Sequence, residues 1–495
     1  MGETLRISEL ITVEKINKWK LGDIITIDAQ TGKGKSYFVK NILYAIAKRD
    51  KKKILFLVHR KTVDEQFVKE LKRDKKSDVI EVRTYQHIDS KYRMHQKFDF
   101  SDYQYIICDE FHYHTSDSAF NEFTDLSLNA ILKEKDKTRI FMSATGRDVT
   151  QYINNHMKLE SINYQIPHDY SHIKKLEFYK RKESVHDYIT SIIASDKKGL
   201  VFVRSAKEAY DLHLMYKDYS MFLCGESNKL YKHVEKNKVD SMLENERFED
   251  KLLITTLTLE AGVNLRMADL TEIVCDVGYD VGILLQAFGR KRIEMKTDYI
   301  NLYIKAVTNN RLGGIKSQLI IENQIAMNFC LTTDTEFTKA NYRKKLSPMI
   351  YDEPTKNGIE KRLNMVRWFK VQKDLELIEK MLELKNNNLG YCLYVSNLLG
   401  IPYTIKEEGE VLSDLEIYLE SLVGKMLFVD ERWDLIKKIG LKDKNSKLQK
   451  GLKTINSYLN ENNINYQITS HVDKRRKLFN GDINDNRDKT YWTIN

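Results

Sequence analysis

Cysteine is sparse in this chain: five residues among 495, Cys108, Cys224, Cys275, Cys330 and Cys392, with no C-x-x-C pair. That argues against a disulfide framework or a cysteine-based metal centre and makes reduced thiols in the core the expectation. Proline is scarcer still, with four residues. Proline is poorly tolerated inside helices and central strands, so Pro167, Pro348 and Pro354 are expected in connectors. No apolar run approaches the ~18 residues that a membrane span needs, and no amino-terminal signal pattern is visible. The expectation is a soluble, cytoplasmic protein without a membrane partner. No internal repeat of roughly 20–50 residues is visible either, which argues against a solenoid or propeller.

What is present fits a multidomain α/β protein. Hydrophobic residues make up 42% of the chain and charged residues 31%, enough for several cores. A chain of this length holds about three domains of ordinary size. Eighty-one Lys and Arg against 71 Asp and Glu leave a net charge of +10, which favours a polyanionic partner without requiring one.

Short apolar runs recur between helical stretches. The first set is "DIITIDA", "KILFLVH", "VIEVRTY", "YQYIICD" and "TRIFMSA"; the second is "GLVFVRS", "YSMFLCG", "KLLITTL", "EIVCDVG" and "DYINLYI". They are nearly continuous rather than alternating, as strands covered on both faces are. Strand and helix in alternation imply parallel sheets with right-handed crossovers. Two sets imply two α/β lobes, over residues 1–165 and 166–335, with an accessory region over 336–495.

The segment "AQTGKGKS" lies between an apolar strand and a helix. It fits the phosphate-loop template if Ala29 takes the first glycine position. Gly32 and Gly34 let the backbone turn its N–H groups inward, and Thr31, Lys33 and Gly34 complete the wrap around a triphosphate. Lys35 is placed to bridge the β- and γ-phosphates of ATP, and Ser36 to ligate Mg²⁺. An acidic pair at the end of another buried strand completes such a site. "YIICDEFH" supplies it, with Asp109 on the metal and Glu110 polarising the attacking water.

"AQTGKGKS", "CDEFH" and "MSATG" together resemble motifs I, II and III of superfamily-2 helicases of the D-E-x-H type. That resemblance implies two tandem RecA-like domains with parallel sheets, and a coupling role for Ser143 and Thr145 between nucleotide state and strand contacts. "LVHRKTVDEQ" resembles motif Ia, with Arg60 near the nucleic-acid backbone, and "RTYQHI" resembles motif Ib, with Thr84 on a phosphate. "LVFVRSAKEA" resembles motif IV, with Arg204 and Ser205 at the strand end. "LITTLTLEAGVNL" resembles motif V. It implies Thr255 and Thr256 on the nucleic-acid backbone, and Glu260, Gly262 and Asn264 bordering the nucleotide. "LLQAFGRKRI" resembles motif VI through Gln286, Gly289 and Arg290. Ile293 stands where the family's last arginine falls, and Arg292 precedes it, so Arg292 is the favoured arginine finger and Arg290 its support.

Beyond residue 335 no family motif stands out. "LQKGLKTINSYLNEN" followed by "NYQITSHVDKRRK" and "KTYWTIN" reads as a helix and a basic hairpin, a winged-helix pattern over 444–495. Lys474, Arg475, Arg476 and Lys477 would lie at its wing. The combined reading is an ATP- and Mg²⁺-dependent helicase or translocase acting on DNA, of the kind found in phages and mobile elements. Two alternatives stay open at this point: an RNA helicase, and an ATP-gated DNA-binding subunit that works with a replication or defence partner protein.

Overall fold

The computed structural model describes residues 5–59, 61–256, 263–295, 297–341, 349–355, 358–384, 388–407, 414–443, 447–462, 464, 466–476 and 483–494. Two parallel sheets organise it. The first contains β1 (Ile24–Asp28), β2 (Lys53–Val58), β3 (Ile80–Thr84), β4 (Tyr103–Asp109), β5 (Thr138–Ser143) and β6 (Ile162–Gln165) in the order β3-β2-β4-β5-β1-β6. The second contains β7 (Ile173–Tyr179), β8 (Lys198–Val203), β9 (Ser220–Leu223), β10 (Leu252–Thr256), β11 (Leu270–Cys275) and β12 (Ile300–Lys305). A two-residue strand at Thr404–Ile405 extends it at one edge, beside β7. All pairings in both sheets are parallel. The expected pair of tandem α/β lobes is therefore the architecture.

The apolar runs are strands because helices cover both faces of each sheet. Ile25, Ile27 and Ile54 pack on one face of the first sheet, and Leu55, Ile106 and Phe141 on the other. The ten quoted runs each contain one strand. Three strands carry no continuous apolar run. β6 is an edge strand with mostly exposed residues, β7 is interrupted by exposed Lys174 and Lys175, and Thr404–Ile405 is too short to register.

Pro167 lies between β6 and β7, as expected of a connector, and Pro348 is outside the described residues. Pro354 corrects the expectation. It lies within a strand, Ile350–Thr355, that pairs with Gly358–Leu363 in a two-stranded antiparallel hairpin. A strand with a partner on one side only can accommodate a residue lacking an N–H. Cys330 also departs from expectation: four of the five thiols are buried, but Cys330 is exposed on the helix Asn309–Leu331. No helix among the described residues is long and apolar enough to cross a membrane.

The region beyond residue 335 divides in two. Helices Met365–Glu383 and Gly390–Leu399 join the second lobe's core through Val371, Ile378, Met381, Tyr391 and Val395. The last part has its own small core, in which Leu435, Ile455, Leu459 and Trp492 pack between three helices and the antiparallel pair Ile468–Val472 and Thr490–Ile494. Its basic residues are partly matched internally: Arg475 bonds Asp473 and Lys474 bonds Asp488, each at 2.7 Å. Lys477 is outside the described residues.

The hairpin Ile350–Leu363 docks on the first lobe beside Asp125, where the Tyr351 hydroxyl donates to Oδ2 at 3.4 Å. Burial pushes the Asp125 carboxyl up to about 7. An unfolded aspartate titrates near ~3.9, so the folded state holds the extra proton and stability falls as pH rises from there towards 7. Asp125→Asn, neutral at every pH, should match the wild type near pH 4 and exceed it at pH 8 by on the order of a few kcal/mol, read by urea unfolding at both pH values.

Candidate active site

The loop 29–36 leaves the carboxyl end of β1, where ligands of parallel sheets bind. Gly32 and Gly34 adopt φ of +85° and +87°, a left-handed conformation that side chains resist. No heavy atom lies within 4 Å of a Cβ built on Gly34, so its glycine serves the backbone turn rather than close packing. A helix then starts at Lys35, with Ser36 exposed in its first turn. The Ala29 N–H donates to the Ser143 carbonyl at 3.1 Å, which ties the loop to the end of β5.

Asp109 ends β4, and the Tyr85 hydroxyl donates to its carbonyl at 2.9 Å. Glu110 follows at φ +46°, a left-handed conformation costing about 1–2 kcal/mol for a residue with a Cβ. Three contacts hold it there. Lys35 Nζ meets Oε1 at 2.8 Å, Ser143 Oγ reaches Oε2 at 3.2 Å, and His112 Nδ1 stands 3.3 Å from Oε2. Burial opposes its charge, but Lys35 and His112 outweigh burial and hold the carboxyl well below the usual range. Asp109 goes the other way. Burial, then the Glu110 charge, push it up to about 7, and its Oδ1 is buried without a hydrogen-bond partner. One carboxylate is thus kept ionised beside one whose surroundings favour its proton.

Ser143 connects this pair to the second lobe. Its Oγ contacts His112 Nδ1 at 2.8 Å and accepts from the Thr145 N–H at 3.1 Å. Gln286 Nε2, on the second lobe's helix Val281–Phe288, donates to Thr145 Oγ1 at 2.8 Å. Thr31 Oγ1 donates to the Gly289 carbonyl at 3.4 Å. A Cβ on Gly289 would stand 2.9 Å from the Leu285 carbonyl of the helix that it follows, so glycine fits the turn out of that helix. The two lobes therefore meet across the phosphate loop.

Arg292 reaches the same place. A Cβ on Gly32 would stand 3.8 Å from its Nη1, an atom buried without a hydrogen-bond partner. Its Nε donates to Asn264 Oδ1 at 2.7 Å, and Asn264 in turn donates to Glu246 at 3.3 Å. Burial and the neighbouring Arg290 push Arg292 down to about 10, while the Glu110 charge across the cleft acts in the opposite sense. Arg290 is half-buried two residues past the end of the helix Val281–Phe288, and its carbonyl accepts from the Leu265 N–H at 2.9 Å.

The other site expectations fall elsewhere. Thr84 caps the helix Tyr85–Arg93, its hydroxyl accepting from the His87 N–H at 3.2 Å. Thr255 and Thr256 are buried at the end of β10, and the Thr255 hydroxyl donates to the Thr256 carbonyl at 3.2 Å. Neither threonine lies on the surface in this arrangement. Arg204 is exposed and bonds the buried Asp276 at 2.7 Å. Arg60, Glu260 and Gly262 are outside the described residues. Lys33 is half-buried beside the loop, and its carbonyl accepts from the Ile7 N–H at 3.1 Å. His112 and Glu246 were not singled out by sequence reasoning. The first had a signal, as the last residue of "DEFH"; the second had none.

Residues 7–82, which include the phosphate loop, match a family model described as "Type III restriction enzyme, res subunit". No curated protein matches the chain. Among solved structures the chain is similar to Saccharomyces cerevisiae Dbp5 bound to RNA and ADP BeF3 (16% identity, 60% of this chain and 82% of that one, TM-score 0.43). It is also similar to Mycobacterium smegmatis helicase Lhr bound to ssDNA and AMP-PNP (13% identity, 66% of this chain and 51% of that one, TM-score 0.43). A third is a DEAD box protein from Methanococcus jannaschii (15% identity, 60% and 84%, TM-score 0.33).

The turn after Ser143 depends on a close contact. A Cβ on Gly146 would overlap the Phe111 ring, which is itself buried behind Glu110. Gly146→Ala should cost about 1–3 kcal/mol of stability through overpacking, measured as a lower unfolding midpoint. An unchanged midpoint would mean that the ring moves aside freely.

Proposed function

We propose that this protein is an ATP-driven nucleic-acid motor of the superfamily-2 helicase kind, of the D-E-x-H type, with DNA as its track. The observation that carries the reading is the meeting of Lys35 and Glu110 from one lobe with Arg292 from the other at a single phosphate loop. A kinase-like fold could use the loop alone; an arginine delivered from a second parallel-sheet lobe suits a machine whose lobes move with the nucleotide.

The residues divide the work as follows. Backbone N–H groups at Gly32 and Gly34 and the helix start at Lys35 bind the phosphates. Lys35 exchanges its Glu110 partner for phosphate oxygens, which frees Glu110. Glu110, held ionised and aimed by Ser143 and His112, orients the attacking water and accepts its proton. Ser36 and Asp109 fit a Mg²⁺ site, since an exposed hydroxyl in the first helical turn and a buried, unpartnered carboxylate oxygen suit a hard cation. When bound, that ion neutralises charge on the phosphates. Arg292, steered by Asn264, offers its guanidinium to the terminal phosphoryl group, and Arg290 adds a second positive charge on the same side of the cleft. The Thr145–Gln286 bond then makes or breaks with cleft closure and relays nucleotide state to the strand-binding surfaces.

Lys35→Ala should abolish ATP turnover, and Glu110→Gln should bind ATP yet turn it over about 10²-fold more slowly or worse. Arg292→Ala should lose about 10³-fold or more in kcat and Arg290→Ala clearly less. The deciding experiment titrates wild-type ATP turnover with single-stranded DNA, duplex DNA and RNA, and follows strand separation on a tailed duplex. Stimulation by DNA with unwinding supports the reading. Stimulation by RNA alone would make RNA the track, DNA binding without unwinding would favour an ATP-gated binding subunit, and full turnover by Lys35→Ala would refute the site.

A further inference from the structure

The helix Met365–Glu383 spans both lobes. Its start is anchored to the first lobe: Asn364 caps it and donates through Nδ2 to the Glu122 carbonyl at 3.0 Å and to Thr124 Oγ1 at 3.1 Å. Val366 and Phe369 then enter the first lobe's core, where Phe369 meets Tyr152 edge-on at 5.5 Å. Later residues of the same helix, Val371, Ile378 and Met381, enter the second lobe's core. One rigid rod is therefore embedded in both bodies.

Lys370 stands where the rod crosses from one to the other. Its Nζ lies 2.7 Å from Asp374 on its own helix, 3.3 Å from Asp148 and 3.5 Å from Asp280. Asp148 is in the first lobe's helix Arg147–Gln151, immediately after the Ser143–Gly146 turn. Asp280 caps the second lobe's helix Val281–Phe288, its Oδ1 accepting from the Ile283 N–H at 3.1 Å. These are the two segments that meet at the Thr145–Gln286 bond, and the second leads directly to Arg290 and Arg292. Burial alone would strip the Lys370 charge; Asp280, Asp374 and Asp148 outweigh it and keep the ammonium protonated. With Lys370 removed, three carboxylates would be left close together without their cation, and the two lobe segments would repel.

We propose that Lys370 is a positioning residue that clamps Asp148 and Asp280 together, so that the helix Met365–Glu383 sets how the two walls of the nucleotide cleft face each other. The consequence rests on the ATPase reading above, whereas the clamp itself does not. It makes the region beyond residue 335 part of the motor, because whatever displaces this helix changes the cleft.

Two measurements on the full chain test it. The first is the interlobe distance distribution by electron–electron double resonance, with spin labels at Lys72→Cys and Lys207→Cys, both exposed, and the exposed Cys330 changed to Ser. A single narrow distribution is expected for the parent and a broadened or shifted one for Lys370→Met. Asp280→Asn and Asp148→Asn should broaden it too. The first keeps the helix cap, since asparagine caps as well as aspartate, and both remain informative if Lys370→Met fails to fold. An unchanged distribution in the folded variants overturns the clamp whether or not ATP is hydrolysed. The second is steady-state kinetics. Asp280→Asn should lower kcat about tenfold with the KM for ATP nearly unchanged, and should add almost nothing in the Lys370→Met background, the non-additivity expected of groups acting through one contact. Additive losses, or a lowered unfolding temperature with kcat intact, overturn the proposal. A wild type with no ATPase activity would defeat the functional reading while leaving the distance result to decide the clamp.

Discussion

A charge buried in a protein interior must find its complement nearby, and Lys35 and Arg292 face one shared cleft. Lys35 is 9% exposed and leans on Glu110. Arg292 comes from the other lobe with one guanidinium nitrogen buried and unpartnered, and its charge is disfavoured by burial and by Arg290. Glu110 is drawn on from both sides. On the proposed reading, a triphosphate supplies the missing negative charge. Strand ends, glycine turns and interlobe hydrogen bonds all serve to bring these cations to one place.

The same constraint explains why the lobes touch where they do. The Gly289 carbonyl accepts from Thr31, and Gln286 reaches Thr145. Each is a polar bond worth about 1 kcal/mol. The stronger tie lies behind them, in the helix that penetrates both cores around Lys370. On the proposed reading, a soft front and a stiff back together make a hinge.

The parts of this arrangement that depend on local chemistry were legible in the sequence. A phosphate loop needs two glycines, a lysine and a hydroxyl in consecutive positions, and Gly32, Gly34, Lys35 and Ser36 are there. Fully covered strands need unbroken apolar runs, and ten of them read correctly. Less legible were elements whose role is set by neighbours distant in sequence. β7 carries two exposed lysines, yet packs because β12 pairs along its length and the carboxyl-terminal strand Thr404–Ile405 flanks its other edge. Lys370 sits in a helix of mixed charge, and its burial depends on Asp148 and Asp280, which lie far apart in the chain. Thr255 and Thr84, which the motifs suggest for a nucleic-acid backbone, also have local hydrogen bonds, to the Thr256 carbonyl in one case and at a helix cap in the other.

The central claim is that one nucleotide is gripped by both lobes at once. A crystal structure with a non-hydrolysable ATP analogue and Mg²⁺ tests it most directly. The account predicts Lys35 moved from Glu110 onto the phosphates and the Arg292 guanidinium within hydrogen-bond distance of the terminal phosphoryl oxygens. An analogue held by the first lobe alone, with Arg292 turned away from it, would contradict the account.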